Sequence, residues 1–180
     1  MNLPNRLTLL RVCLIPVFIV LVILEETFPW ARYAAVGVFA AACITDFFDG
    51  KIARKYNMVT NFGKFMDPLA DKLLVCSALI CLVDAHRIPL WVVIVIVARE
   101  FIISGFRLVA VQQGLVLAAS KMAKVKTAVQ MIMIIVLVFH IDLPFFRVFE
   151  QVLIYASLVL TIVSLLEYLI KNRSVMKGEM

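Results

Sequence analysis

Apolar residues in this chain collect in long runs instead of alternating with polar ones. The runs fall around 8–24, 31–48, 65–83, 88–111, 122–141 and 145–170. Each approaches the roughly 20 residues that cross a hydrocarbon core of about 30 Å. The pattern predicts six transmembrane helices in an all-α integral membrane protein. Ahead of the first span, Asn5, Thr8 and Arg11 recur every three residues and Pro16 offers a bend. This strip predicts a short N-terminal helix lying in the membrane interface. Snorkelling by Arg6 and Arg11 explains the same residues equally well.

Composition strengthens the membrane reading. Of 180 residues, 64% are hydrophobic and 17% charged, with a mean hydropathy of +1.03, far more apolar than a soluble domain of this size. The first run is long, contains Arg11 and lacks a small-residue cleavage site, so no cleavable signal peptide is expected. No repeat, low-complexity tract or linker divides the sequence, and residues 1–180 read as a single domain. With six spans, fifteen of the 18 Lys and Arg residues fall on the side of the Asp46 to Asp71 stretch. Arg32, Arg87 and Arg147 fall on the other. That asymmetry predicts a cytoplasmic face for the stretch. The net charge of +6 suits anionic lipid and anionic substrates, and nucleic acid is not an expected partner.

Four carboxylates sit beside segments apolar enough to span the bilayer. Asp46, Asp49, Gly50 and Ala53 share one face of a helix, and Gly50 permits close approach of a ligand or a second backbone. Gly63, Asp67 and Asp71 form a similar strip on the next helix. Each ionised Asp at membrane depth costs about 2.5–3.5 kcal/mol. Two divalent cations would neutralise the four charges, and an all-oxygen ligand set favours Mg²⁺, Mn²⁺ or Ca²⁺ over zinc. The competing reading pairs these groups with Lys51, Arg54, Lys55, Lys64 and Lys72 in a charged loop. Thr60 or Asn61 can cap the third helix with Pro68 inside it; alternatively Asp67 is the cap and Pro68 the first helical residue.

Further charge lies deeper. Arg99, Glu100 and Arg107 interrupt the fourth span, and intramembrane charges usually line a cavity. A Glu100–Arg107 ion pair is the plainer account. Lys121, Lys124 and Lys126 open the fifth span, where the positive-inside bias alone explains them. His86 and His140 fall near outer span ends and read as interfacial. The four cysteines, Cys13, Cys43, Cys76 and Cys81, lie in apolar runs without metal-type spacing and read as buried thiols.

The run Asp46-x2-Asp49-Gly50-x2-Ala53-Arg54-x8-Gly63-x3-Asp67-x3-Asp71 resembles the motif of the CDP-alcohol phosphotransferases at every defined position. The resemblance implies a six-helix membrane enzyme, commonly a homodimer, with two divalent cations, Mg²⁺ or Mn²⁺, at the cytoplasmic interface. It implies Asp46, Asp49 and Asp67 as metal ligands, Asp71 as ligand and general base, and Gly50, Ala53, Arg54 and Gly63 at the CDP donor. Outside the motif, NLPNRLTLLR, NFGKFMDPLADKLL, AREFIISGFR and KVKTAVQM are similar to bacterial members that use CDP-diacylglycerol and sn-glycerol 3-phosphate. On that likeness the protein is a multi-pass protein of the bacterial inner membrane. Arg99, Arg107 and Lys124 are then expected at the acceptor phosphate, with Asn5, Thr8 and Arg11 as further site candidates. Two readings compete: another acceptor, such as inositol phosphate, serine or phosphatidylglycerol, or a cation transporter using the same Asp residues as its ion path.

Overall fold

A computed structural model describes residues 3–55, 61–112 and 120–172; for 3–7, 46–55, 61–65, 67, 68 and 112 it describes the backbone alone. The secondary structure is helical throughout, with no strand among the described residues. The order is α1 (Leu3–Leu24), α2 (Ala31–Lys55), α3 (Asn61–Asp84), α4 (Leu90–Gln112), α5 (Lys121–Phe139) and α6 (Pro144–Lys171). By length and composition, α5 and α6 are able to cross a membrane, and shorter apolar stretches run over Thr8–Leu24 and Ala31–Thr45.

The chain divides into two compact units. The first comprises Met1–Arg87 with Ile134–His140, and the second Ile88–Met133 with Ile141–Met180. In the first unit α1 packs on α2 and α3. Its inward stripe is Thr8, Arg11, Ile15, Phe18 and Val22, continued by Glu25, all buried. These positions repeat every three or four residues, the spacing of one helix face. The facing stripe of α2 is Ala31, Ala35, Phe39 and Ala42. Its alanines let the helices approach closely, the habit of packing between membrane helices. Phe18 and Phe39 meet with ring centroids 5.6 Å apart.

This stripe corrects the expectation of a separate interfacial helix. The helix runs through Pro16 unbroken, and Thr8 and Arg11 are each only 1% exposed. Thr8 and Arg11 therefore continue the core face instead of pointing at headgroups or snorkelling. In the third helix the described residues are helical from Asn61 through Pro68, so Asp67 is not its cap; Thr60 lies outside the described residues. At its far end His86 adopts φ 55°, His86 N–H donates to Val83 O and Arg87 N–H to Leu82 O. This is the paired hydrogen-bond pattern that closes a helix with a left-handed residue. His140 (φ 38°) ends α5 in a similar backbone conformation. The two histidines are helix terminators, near the outer ends where an interfacial role was expected.

In the second unit α4 packs on α6. Ser157, Thr161, Ser164 and Tyr168 form a buried polar stripe on α6, again at helical spacing. Beside buried apolar residues such as Val92, Ile96, Ile154 and Leu158, others are exposed: Ile94, Phe101, Ile102 and Leu108 on α4, and Val152, Val159, Val163 and Leu166 on α6. Contiguous apolar surface of this kind marks contact with lipid or another apolar partner. The thiols depart from expectation in the same way, Cys13 being exposed and the other three half-buried.

Candidate functional site

The carboxylate strips lie on two helices of the first unit. Because α2 remains helical to Lys55, its backbone carries Asp46, Asp49, Gly50 and Ala53 on one face. Because α3 begins at Asn61, Gly63, Asp67 and Asp71 follow at one-turn intervals. Both helices pack against α1, and they also touch each other. Asp71 is half-buried. The side chains of Asn5, Asp46, Asp49, Gly50, Ala53, Arg54, Gly63 and Asp67 lie outside the described residues. Among the described residues no three His, Cys, Asp or Glu groups converge, Asp71 being the strip's one described carboxylate. A set of four hard oxygen donors fits divalent cations of the Mg²⁺ type and disfavours soft metals.

The second unit holds a separate ionic cluster. Arg99 is buried; its Nη1 donates to Glu100 Oε1 at 3.0 Å and its Nη2 to Ser164 Oγ at 3.0 Å. The Ser164 hydroxyl in turn donates to Thr161 O at 3.1 Å. The ammonium of Lys126, itself buried, also donates to Glu100 Oε1. Ser120 caps α5 by accepting Ala123 N–H at 3.1 Å, and its hydroxyl reaches Glu167 Oε2 on α6 at 2.9 Å. This ties the start of α5 to α6. Two cations thus share one carboxylate oxygen.

The sequence-derived acceptor residues are dispersed more widely. Arg107 is exposed, with its guanidinium 5.9 Å from the centroid of the Tyr168 ring. Lys124 is exposed as well. The α5 lysine that joins Arg99 through Glu100 is Lys126. Glu100 therefore pairs with Arg99 and Lys126 instead of Arg107, which lies seven residues and about 10 Å further along the helix. Sequence reasoning passed over Ser157, Thr161, Ser164 and Tyr168. Their helical spacing within an otherwise apolar run was the available signal.

These strips and clusters stand on the scaffold of a known class. Residues 1–163 match the CDP-alcohol phosphatidyltransferase family model, and the chain belongs to that family. Among its relatives is a CDP-diacylglycerol–glycerol-3-phosphate 3-phosphatidyltransferase of Bacillus subtilis, 44% identical over 98% of this chain and 97% of the relative. A protein of the same name from Shigella flexneri is 39% identical, covering 96% of both chains. A probable phosphatidylglycerophosphate synthase of Mycobacterium tuberculosis is 41% identical over 93% of this chain and 79% of the relative.

Proposed function

We propose that this chain transfers the phosphatidyl group of CDP-diacylglycerol to sn-glycerol 3-phosphate, giving phosphatidylglycerophosphate and CMP. The observation that carries the reading is the Bacillus subtilis transferase, alike over 98% of this chain at 44% identity. The complete Asp46 to Asp71 motif lies within the matched span.

In this reading the acceptor hydroxyl attacks the phosphorus that bears the diacylglycerol, the bond to CMP breaks, and the hydroxyl proton passes to Asp71. Asp46, Asp49 and Asp67, with Asp71, would hold two Mg²⁺ or Mn²⁺ ions. Bound there, the cations would offset charge on the pyrophosphate and on departing CMP. Gly50, Ala53, Gly63 and Arg54 would contact the nucleotide and its phosphates. Asn5, Thr8 and Arg11, toward the amino end of α1, would be further site residues. Arg99, Arg107 and Lys124 serve the acceptor's phosphate, and the buried Lys126 joins them. A phosphorylated acceptor fits the buried Arg99 guanidinium, whose Nε has no hydrogen-bond partner among the described residues, whereas serine needs no such anion site.

We further infer six membrane spans in one functional domain, a cytoplasmic active site in a bacterial inner membrane, and a homodimer. The exposed apolar faces, the charge asymmetry and a family match running through both compact units support this picture. The direct test is CMP release from CDP-diacylglycerol by the purified protein, with sn-glycerol 3-phosphate, inositol phosphate, serine and phosphatidylglycerol offered in turn. Turnover with glycerol phosphate alone is expected. Release of CMP only with another alcohol would reassign the acceptor, and none with any alcohol would remove the activity.

A further inference from the structure

The polar stripe of α6 has no part in the transfer as written. A hydroxyl inside an apolar unit is costly unless it is hydrogen-bonded, and Thr161 and Ser164 are at most 1% exposed. Both return their protons to their own helix: Thr161 Oγ1 donates to Ser157 O at 2.7 Å and Ser164 Oγ to Thr161 O at 3.1 Å. Such a bond satisfies a helical hydroxyl locally and needs no partner on another helix. Ser164 goes further, since its oxygen also accepts from Arg99 Nη2 on α4 at 3.0 Å.

The direction of these bonds gives Ser164 its use. A serine hydroxyl has one proton and two lone pairs, and a guanidinium only donates. With its proton held by Thr161 O, the Ser164 oxygen can meet Arg99 only as an acceptor. Arg99 Nη1 meanwhile donates to Glu100 Oε1 at 3.0 Å. The guanidinium is rigid and planar, so one acceptor at each Nη fixes its plane as well as its position. Glu100 is the next residue on the same helix and moves with Arg99. Ser164 is the anchor that refers the guanidinium to α6. Arg99 Nε is buried without a hydrogen-bond partner among the described residues. An oxyanion accepting from it would meet a donor whose direction is already set, and less freedom would be lost on binding.

We propose that Ser164 is a positioning residue for the acceptor: its hydroxyl, held by Thr161 O, orients the Arg99 guanidinium so that the Nε–H meets the acceptor's phosphate monoester. The inference rests on the reading above that Arg99 serves that phosphate. Ser164 itself touches no reacting atom. A neutral hydroxyl suits the task because it fixes the cation without repelling the anion, which a carboxylate in its place would do.

The test uses the full-length enzyme in lipid nanodiscs, with CMP release followed as each substrate is varied in turn. Ser164→Ala removes the acceptor atom with little change in volume. It should raise the acceptor KM about three- to tenfold, while the donor KM and kcat stay within about twofold of wild type. In an Arg99→Ala background the same change should add nothing, because no guanidinium remains to be oriented. A rise in both KM values with a fall in kcat would make Ser164 a fold residue and overturn the proposal. So would multiplicative losses in the double variant. If Ser164→Ala does not accumulate, Ser164→Cys decides, since sulfur is a weak acceptor; an unchanged acceptor KM is then the overturning result. Wild-type enzyme that ignores glycerol phosphate but uses another alcohol defeats the acceptor reading, and an unchanged acceptor KM in Arg99→Ala removes Arg99 from it. Wild-type use of glycerol phosphate, with the acceptor KM raised in Arg99→Ala but unaltered in Ser164→Ala, defeats only the positioning role.

Discussion

Each compact unit contains one carboxylate shared by two cations, but the two clusters are finished differently. In the first unit Arg87 Nη2 lies 2.5 Å from Glu25 Oε1. Arg32 Nε lies 3.2 Å from the same oxygen, an ionic contact lacking hydrogen-bond alignment. The remaining guanidinium donors go to backbone: Arg87 Nη1 to Leu137 O and Val138 O, and Arg32 Nη1 to His140 O. These are orphan carbonyls at the end of α5, where cations also suit the helix dipole. In the second unit Arg99 Nη2 reaches a serine hydroxyl, and Arg99 Nε has no hydrogen-bond partner among the described residues. The first cluster closes on backbone carbonyls at a helix end. The second is anchored on a side chain of α6, and on this difference rests the proposed division between scaffold and binding site.

The largest expected effect lies in the carboxylate strip of the first unit, outside both clusters. Asp67→Asn should lower turnover by about 10²–10³-fold or more, since on the proposed function it would remove a ligand charge from the cations. Thermal stability in detergent should hold or rise as repulsion among the carboxylates falls. Turnover near the wild-type rate would take Asp67 out of the metal site. Glu25→Gln should do the opposite. Breaking a buried pair while leaving two guanidinium groups behind costs about 3–5 kcal/mol, so the melting temperature should fall while turnover per folded molecule persists. If turnover falls with no loss of stability, the first cluster is functional and the contrast fails.

A smaller effect sharpens the second side of the contrast. Arg99→Ala should raise the acceptor KM roughly ten- to a hundred-fold, because a charge-assisted hydrogen bond contributes about 1.5–3 kcal/mol. Arg107→Ala should raise it less, about threefold, because that guanidinium is exposed and its interaction with Tyr168 is worth about 0.5–1 kcal/mol. Steady-state kinetics with each substrate varied will rank the two. An Arg107 effect larger than that of Arg99 would move the acceptor site toward Tyr168.

Much of this organisation is legible in the sequence, for reasons that differ from one feature to another. Apolar runs mark helices because the bilayer fixes their length, and the Asp46 to Asp71 spacing marks its strips because helical register is periodic. Register alone does not say which face is inward. The strip Asn5, Thr8 and Arg11 reads as interfacial until Ile15, Phe18 and Val22 extend the same face into the core. Nor does it give side-chain reach. Lys124 and Lys126 are equivalent as basic residues opening a span, and only the packing of α5 buries one and exposes the other. The cations at 32 and 87 give no hint of their partners because the carbonyls they serve lie fifty or more residues away, at the end of α5.

The smallest expected effect tests whether the closed cluster depends on backbone alone. His86 holds φ at 55°, a left-handed conformation that costs a residue with a Cβ about 1–2 kcal/mol. It is the terminating residue immediately before Arg87, so the turn it makes sets where that guanidinium begins. Glycine adopts the same φ without the steric cost but loses more backbone entropy on folding. The substitution His86→Gly should therefore stabilise by only about 0.5–1 kcal/mol, read as a rise of a few degrees or less in melting temperature. Neither the imidazole nor the transfer reaction enters this balance, so both KM values and kcat should stay at wild type. A melting temperature lowered by His86→Gly would mean that the imidazole supports the Arg87 turn. The first unit's cluster would then rest on a side chain as well as on carbonyls.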